Sequence, residues 1–531
     1  MADSKTFVRR ASGLVREVSA FDVLFYNIGL ISIGYALFMF LFWANYPGAS
    51  LEVAVGISII LGLFQGLTYA LLAAAYPRSG ADYVYVSRIL NPSLGFSMSW
   101  TWWVWFIFST GLNAWTVGIW GVSPFLGGMG LLTNSQNLIS MGAWAGTPNG
   151  LFAVGGVAVV LMTLLLISGN KSYFLYQKVV FAIAILSTLV VIVLMATTSQ
   201  STFIARFNAL AQPYSNSTDT YHSIITSASQ GGYAVNAPYS SLQTVFFFVW
   251  PWFAIGYCFL SASFSGEVKG VKKSQLFGML GSAVICGIIF LLLASLGGRV
   301  FGYNFLGATA YLMLNNPTAL TIPVTPWYNL LGALLTDNVG VSAFILFGWL
   351  MWFILVLGTS FLYTTRVAFA WGIDNMAPRA FAYVNPRFRT PVTTIIVGGI
   401  GSLIFLAGLS YTTYLGILSG TIGFGIAIIV ASVSAVVFPF VRKDLYKRSG
   451  INWELAGIPV ISIAGGVNVV SNLVILYIIL TDARAGANSL TSMMTVFGIF
   501  VMGFVLFYAI RAVRKRQGID VDLLFKEVPV E

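Results

Sequence analysis

Charge is what this chain has least of. Only 8% of its 531 residues are Asp, Glu, Lys or Arg and 58% are hydrophobic, whereas a soluble domain carries about 25% charged residues to keep its surface wet. A water-facing globule is therefore excluded. Cysteine is nearly absent too: Cys258 and Cys286 both lie in apolar runs, which excludes a disulfide framework and a cysteine zinc site. The single histidine, His222, sits in a polar stretch with no acidic, Cys or His cluster around it. A phosphate-binding G-x-x-x-x-G-K-[ST] loop is missing, since the nearest approach, Gly266 to Ser274, has the wrong spacing. That excludes a nucleotide-driven pump. Residues 1–20 show no compact apolar core followed by a small-residue cleavage site, and read as a cytoplasmic tail leading into the first helix.

What is there is apolar run after apolar run. About 20 apolar residues in a helix span the hydrocarbon layer, and the helix satisfies its own backbone groups. Helices are expected at 21–43, 51–75, 94–121, 151–168, 174–198, 242–265, 276–302, 340–371, 392–410, 413–440, 456–480 and 491–511. This is an all-α integral membrane protein of about twelve transmembrane helices. With the N-terminus inside, only Arg206, Arg299 and Arg484 of the 27 Lys and Arg fall outside, leaving 24 inside. That bias predicts two cytoplasmic termini. It also explains the net charge of +11 without nucleic acid, because the basic residues face the anionic leaflet. The outer segments 122–150, 199–241 and 303–339 are long, polar and nearly uncharged, and read as loops.

Two helices are interrupted at matching places. Helix 1 contains Asn27-Ile-Gly-Leu-Ile-Ser-Ile-Gly-Tyr35, and helix 6 contains Trp250-Pro-Trp-Phe-Ala-Ile-Gly-Tyr257. Both carry Ile-Gly-Tyr, and each opens a set of five helices, so the second set is inverted relative to the first. Paired interruptions in an inverted repeat point to a transporter's central site. Unwound backbone at that depth needs protein, water or substrate to satisfy it. The plainer reading is that these glycines only let helices pack closely.

Three further segments carry a family resemblance. Pro77-Arg-Ser-Gly-Ala-Asp-Tyr-Val-Tyr85, then Asn91-Pro-Ser-Leu-Gly-Phe96, resembles the P-x-S-G-G-x-Y-x-Y element and helix 3 entry of the amino acid–polyamine–organocation (APC) superfamily. Arg366 to Pro378, followed by Thr390-Pro391, is similar to its S-R-x-x-Y-A-M-A-R-D-G-x-L-P and T-P-V. Gly266-Glu-Val-Lys269 is close to its E-x-K-N-P. The resemblance covers about residues 15–440. It implies a LeuT-like fold: five-helix repeats at 21–198 and 242–440, helices 11 and 12 at 456–511, and a cytoplasmic tail at 512–531. It further implies an amino-acid permease working by alternating access, with no enzymatic activity and no obligate protein partner. Substrate would meet the unwound backbone at Ile31, Ser32, Ile33, Gly34 and Tyr35 and at Ala254, Ile255, Gly256 and Tyr257. Gly34 and Gly256 would let backbone approach it without a Cβ. By the same alignment Trp252 closes over the substrate, while Phe106, Thr110 and Ser360 face it.

The chain departs from the family in ways that bear on substrate and coupling. Helix 1 has one glycine fewer, with Tyr35 in its place; the acidic residue of helix 6 and the proton-sensing lysine of helix 5 are both missing. No ionisable residue falls at confident mid-membrane depth, since Asp22, Glu52 and Arg366 lie near helix ends. A neutral, apolar amino acid is thus expected, with a polyamine or organic cation as the alternative. A membrane-embedded enzyme is disfavoured for want of convergent His, Cys or acidic groups. The resemblance offers a sodium cage from the carbonyls of Gly29 and Ser32 and the hydroxyls of Thr359 and Ser360, an all-oxygen set suited to a hard cation. Alternatively those hydroxyls bond their own helix, and a proton or simple exchange drives transport. The expected location is the plasma membrane.

Overall fold

The computed structural model describes residues 14–415, 421–486 and 488–526. Among these, eleven helices are long and apolar enough to cross a membrane, and one apolar stretch, Ser241–Ile255, is shorter. In chain order the spans are 1 (Ala20–Trp43), 2 (Leu51–Ala75), 3 (Pro92–Leu132), 4 (Pro148–Ile167), 5 (Asn170–Thr197), 6 (Ser241–Ile255), 7 (Val271–Asn315), 8 (Val339–Ile373), 9 (Val392–Tyr411), 10 (Thr421–Val441), 11 (Val460–Thr481) and 12 (Leu490–Arg516). The protein is a multi-pass helical membrane protein. Residues 1–13 and 527–531 of the expected tails, and 416–420 of the expected tenth helix, lie outside the described residues.

Local chemistry sets where the spans begin. Ser19 and Asp22 form a reciprocal capping box at span 1, Ser19 Oγ accepting from the Asp22 amide and Asp22 Oδ2 from the Ser19 amide. Asn91-Pro92 and Thr147-Pro148 open spans 3 and 4 with a side-chain cap and a proline where no N–H is needed.

The outer segments correct the expectation of loops. Span 3 runs on through a π turn at Val117–Val122 to Leu132, and span 7 through another at Gly298–Gly302 to Asn315. Gln136–Ala145, Gln200–Ala211 and Thr220–Gln230 are also helical. The Ser and Asp residues that suggest loop instead cap these helices, at Ser135, Ser199 and Asp219. Aromatic stacking then holds them together: Phe203 and Phe207 meet Phe305, and Tyr221 lies flat against Phe305 at 4.4 Å.

Two spans break. In span 1 the helix stops at Ile31, Ser32 takes φ +47°, and a short 3-10 turn at Ile33–Tyr35 leads into Ala36–Trp43. In span 6 the break is longer than expected: the helix ends at Ile255 instead of 265, and 3-10 turns at Leu260–Ser263 and Ser265–Glu267 follow. Buried side chains from neighbouring spans take up the backbone groups the missing helix leaves. Gln65 donates to the Gly256 carbonyl at 2.6 Å. Asn27 accepts from the Ser261 amide at 3.1 Å, and Gln275 donates to the Ser261 carbonyl at 3.1 Å. An unpaired buried amide or carbonyl costs about as much as a lost hydrogen bond, so these side chains make the break affordable.

Beyond the break, the chain seals the face of the bundle that carries Val18 and Phe525, here called the terminal face. Val18 exchanges backbone bonds with Glu267 and Lys269. Arg366 grips both Glu267 oxygens at 2.8 and 3.0 Å, with Asn170 alongside. Arg88 pairs with Asp374.

Candidate functional site

The two breaks face a common cavity of about 130 Å³. Its contributors follow helical arithmetic. Trp250, Phe253, Ala254 and Tyr257 line it from span 6 at i, i+3, i+4 and i+7, which is one helix face. Phe106, Ser109, Leu112, Asn113 and Thr116 line it from span 3 at helical spacing, and Leu30, Tyr35, Phe38, Val356, Ser360 and Phe424 complete it. No charged side chain reaches the wall. A larger void of about 820 Å³ lies among the outer segments, around Tyr46, Tyr221 and Tyr303, and touches neither break.

Polar atoms gather on one side of the cavity. The Tyr35 hydroxyl donates to Asn113 Oδ1, and Asn113 Nδ2 donates to Ser360 Oγ at 3.0 Å. Thr110 returns its hydroxyl to the Phe106 carbonyl at 2.7 Å and lies 3.5 Å from Ser360 Oγ. Apart from Ser109 and Thr116, the rest of the wall is aromatic or aliphatic. Over its outer end Phe42 stacks on Trp250 at 3.7 Å, and Phe38 stacks on Phe42.

Of the residues nominated from sequence, Tyr35, Phe106, Ala254, Tyr257 and Ser360 line the cavity, and Thr110 sits just behind it. Ile31, Ser32, Ile33 and Ile255 are wholly buried and do not line it. Trp252 lies off the lining face, its ring packed where a Cβ on Gly256 would stand. The aromatics at the cavity are Trp250 and Phe253 instead. Gly34 and Gly256 are closely packed. A Cβ on Gly34 would stand 3.0 Å from Trp352 Cβ, and one on Gly256 2.8 Å from the Trp252 carbonyl.

Around the expected sodium cage, Thr359 turns its hydroxyl to the Val356 carbonyl at 3.0 Å and its methyl toward Gly29. Ser360 bonds the Leu357 carbonyl at 3.0 Å, and Ser32 Oγ donates to the Trp352 carbonyl at 3.3 Å. Asn113 is the site residue that sequence reasoning passed over. The signal was available: Ser109, Thr110, Asn113 and Thr116 form the polar stripe of an otherwise apolar helix.

Comparison with known proteins gives the family. A sequence profile of the family described as amino acid permease matches residues 18–505. The chain is similar to the methylthioribose transporter of Bacillus subtilis (strain 168), 24% identical over 431 residues, covering 79% of this chain and 82% of that protein.

Proposed function

The chain belongs to the amino acid permease family, and from that membership we propose that it carries a small neutral solute with an apolar body across the plasma membrane by alternating access. The observation that carries this reading is the cavity wall: a broad aromatic surface facing one uncharged polar cluster, Tyr35, Asn113 and Ser360. A ligand with a net charge would enter without a partner, at a cost of several kcal/mol. A neutral amino acid fits. Its polar end would meet the Tyr35, Asn113 and Ser360 cluster, and its side chain the ring wall.

A second reading has its own support. The similar Bacillus protein is named for methylthioribose, an uncharged thioether sugar whose hydroxyls suit an amide–hydroxyl cluster and whose thioether suits aromatic rings. In either case the face rich in Lys and Arg lies inside and both termini are cytoplasmic.

Counterflow uptake into proteoliposomes decides between them, with labelled L-leucine and labelled methylthioribose as probes. Leucine exchange supports the amino-acid reading, and methylthioribose exchange without leucine exchange replaces it with the second. Neither moving sinks both.

A further inference from the structure

Asp82 is a buried acid that the substrate site does not use. It opens the short helix Asp82–Ile89 between spans 2 and 3 and is 1% exposed. Neither carboxyl oxygen has a hydrogen-bond partner among the described residues. The Tyr69 hydroxyl and the Trp102 indole N–H lie near it, both likewise unpartnered. Tyr85 and Tyr363 also face it.

Among the described residues no cation is placed to balance this acid. Arg88, on the same helix, is committed to Asp374, and Arg366 to Glu267. Arg78 donates to the Pro77 carbonyl. Spans 3 and 10, which pack against the helix, contain no ionisable side chain. Burial pushes the Asp82 carboxyl from an ordinary 3.8 up to about 7, although the nearby Tyr69 and Trp102 groups pull the other way. A proton is therefore held roughly a thousandfold more tightly there than in water.

The acid also sits at a mechanical junction. Trp102 stacks on Phe424 at 4.7 Å, and Tyr363 packs on Phe106 at 4.2 Å, and both of those rings line the cavity. Tyr69 stacks at 3.8 Å on Phe259, in the broken segment of span 6. The turn leading into Asp82 is itself bonded to that segment: the Gly80 amide donates to the Ser263 carbonyl at 2.9 Å, and Ser79 bridges Phe264. Movement of the break would carry the roof of the Asp82 pocket with it.

We propose that Asp82 is a proton-binding site that couples proton movement to transport, protonated while the terminal face is closed and releasing its proton when that face opens. This rests on the transporter reading above. The sign follows from the burial. The closed form binds the proton more tightly, so acid favours it, and that preference is lost as pH rises through about 7. Only a proton moves, converting carboxylate to carboxylic acid and back.

The test is infrared difference spectroscopy of the full chain in lipid, titrated from pH 5 to pH 9. We expect a protonated-carboxyl band in the wild type that fades near neutral pH, is absent in Asp82→Asn, and returns with a moved midpoint in Asp82→Glu. A wild type with no carboxyl titrating within about one pH unit of neutral overturns the site, whether or not the variants fold. So does a band unchanged in Asp82→Asn, or one displaced by sodium at constant pH. In proteoliposomes, leucine or methylthioribose accumulation driven by a proton gradient should fall at least tenfold in Asp82→Asn, while gradient-free counterflow persists. Unchanged accumulation overturns the coupling. If neither probe moves through the wild type, the transport reading has failed, and the spectra still decide the proton site.

Discussion

Ala81 occupies a conformation that suits glycine. Its φ of +42° and ψ of −119°, with the Tyr83 amide donating to the Gly80 carbonyl at 3.1 Å, make Gly80–Tyr83 a turn whose first central residue has positive φ. Such a turn is type II′, and an L-residue there is strained by about 1–3 kcal/mol. The family pattern has glycine at this position, so Ala81→Gly should raise stability by about 1 kcal/mol after glycine's unfolded-state cost is subtracted. A thermal-unfolding midpoint unchanged or lowered in Ala81→Gly would contradict this. In the cavity, Asn113 both accepts from Tyr35 and donates to Ser360. Asn113→Leu removes both bonds at similar volume. At roughly 0.5–1.5 kcal/mol each, it should weaken substrate binding about 5- to 150-fold with the fold intact. Titration of the transported probe by calorimetry reads that loss directly. Tyr35, Phe106, Ala254, Tyr257 and Ser360, named from the family resemblance, have side chains that line the cavity. Trp252 does not line the cavity, whereas Trp250, two residues earlier, does so together with Phe253 and Tyr257.

Helices were more legible than breaks. The spans were readable from their apolar runs, and spans 1, 2, 3, 4, 6 and 12 also from Ser, Thr or Asn-Pro at the start, because capping and burial are local in sequence. The length of the second break was not. Residues 256–267 stay unwound because Gln65, Asn27 and Gln275 bond them, and partners such as Asn27 lie 234 positions from Ser261. Arg366 illustrates the same point. Sequence placed it near the end of helix 8, but not against Glu267 and Asn170 in a pocket where its side chain is 1% exposed. This pair ties span 8 to the broken segment of span 6 and the start of span 5. Removing one partner of such a pair strands the other charge, at about 3–5 kcal/mol. Glu267→Gln should therefore lower the thermal-unfolding midpoint sharply, whereas Glu267→Gln with Arg366→Met should recover much of the loss. If the double variant is as unstable as the single one, the pair is not what holds the terminal face closed.

At the scale of the molecule, the charge distribution orients the chain. The helix Lys443–Arg448 between spans 10 and 11 carries Lys447 in an exposed position on the terminal face, and Thr218 is exposed in the long segment between spans 5 and 6. Positive residues resist translocation, so this face, which the sequence pattern makes rich in Lys and Arg, should be cytoplasmic. The chain's own thiols do not obscure a labelling test, because Cys258 and Cys286 are both buried. In intact cells an impermeant maleimide should label Thr218→Cys at once and Lys447→Cys only after permeabilisation. The reverse pattern would invert the molecule, and with it the direction of the Asp82 argument. The proton would then be released outside, and a gradient of the opposite sign would drive accumulation. Topology is therefore the measurement on which the sign of coupling depends.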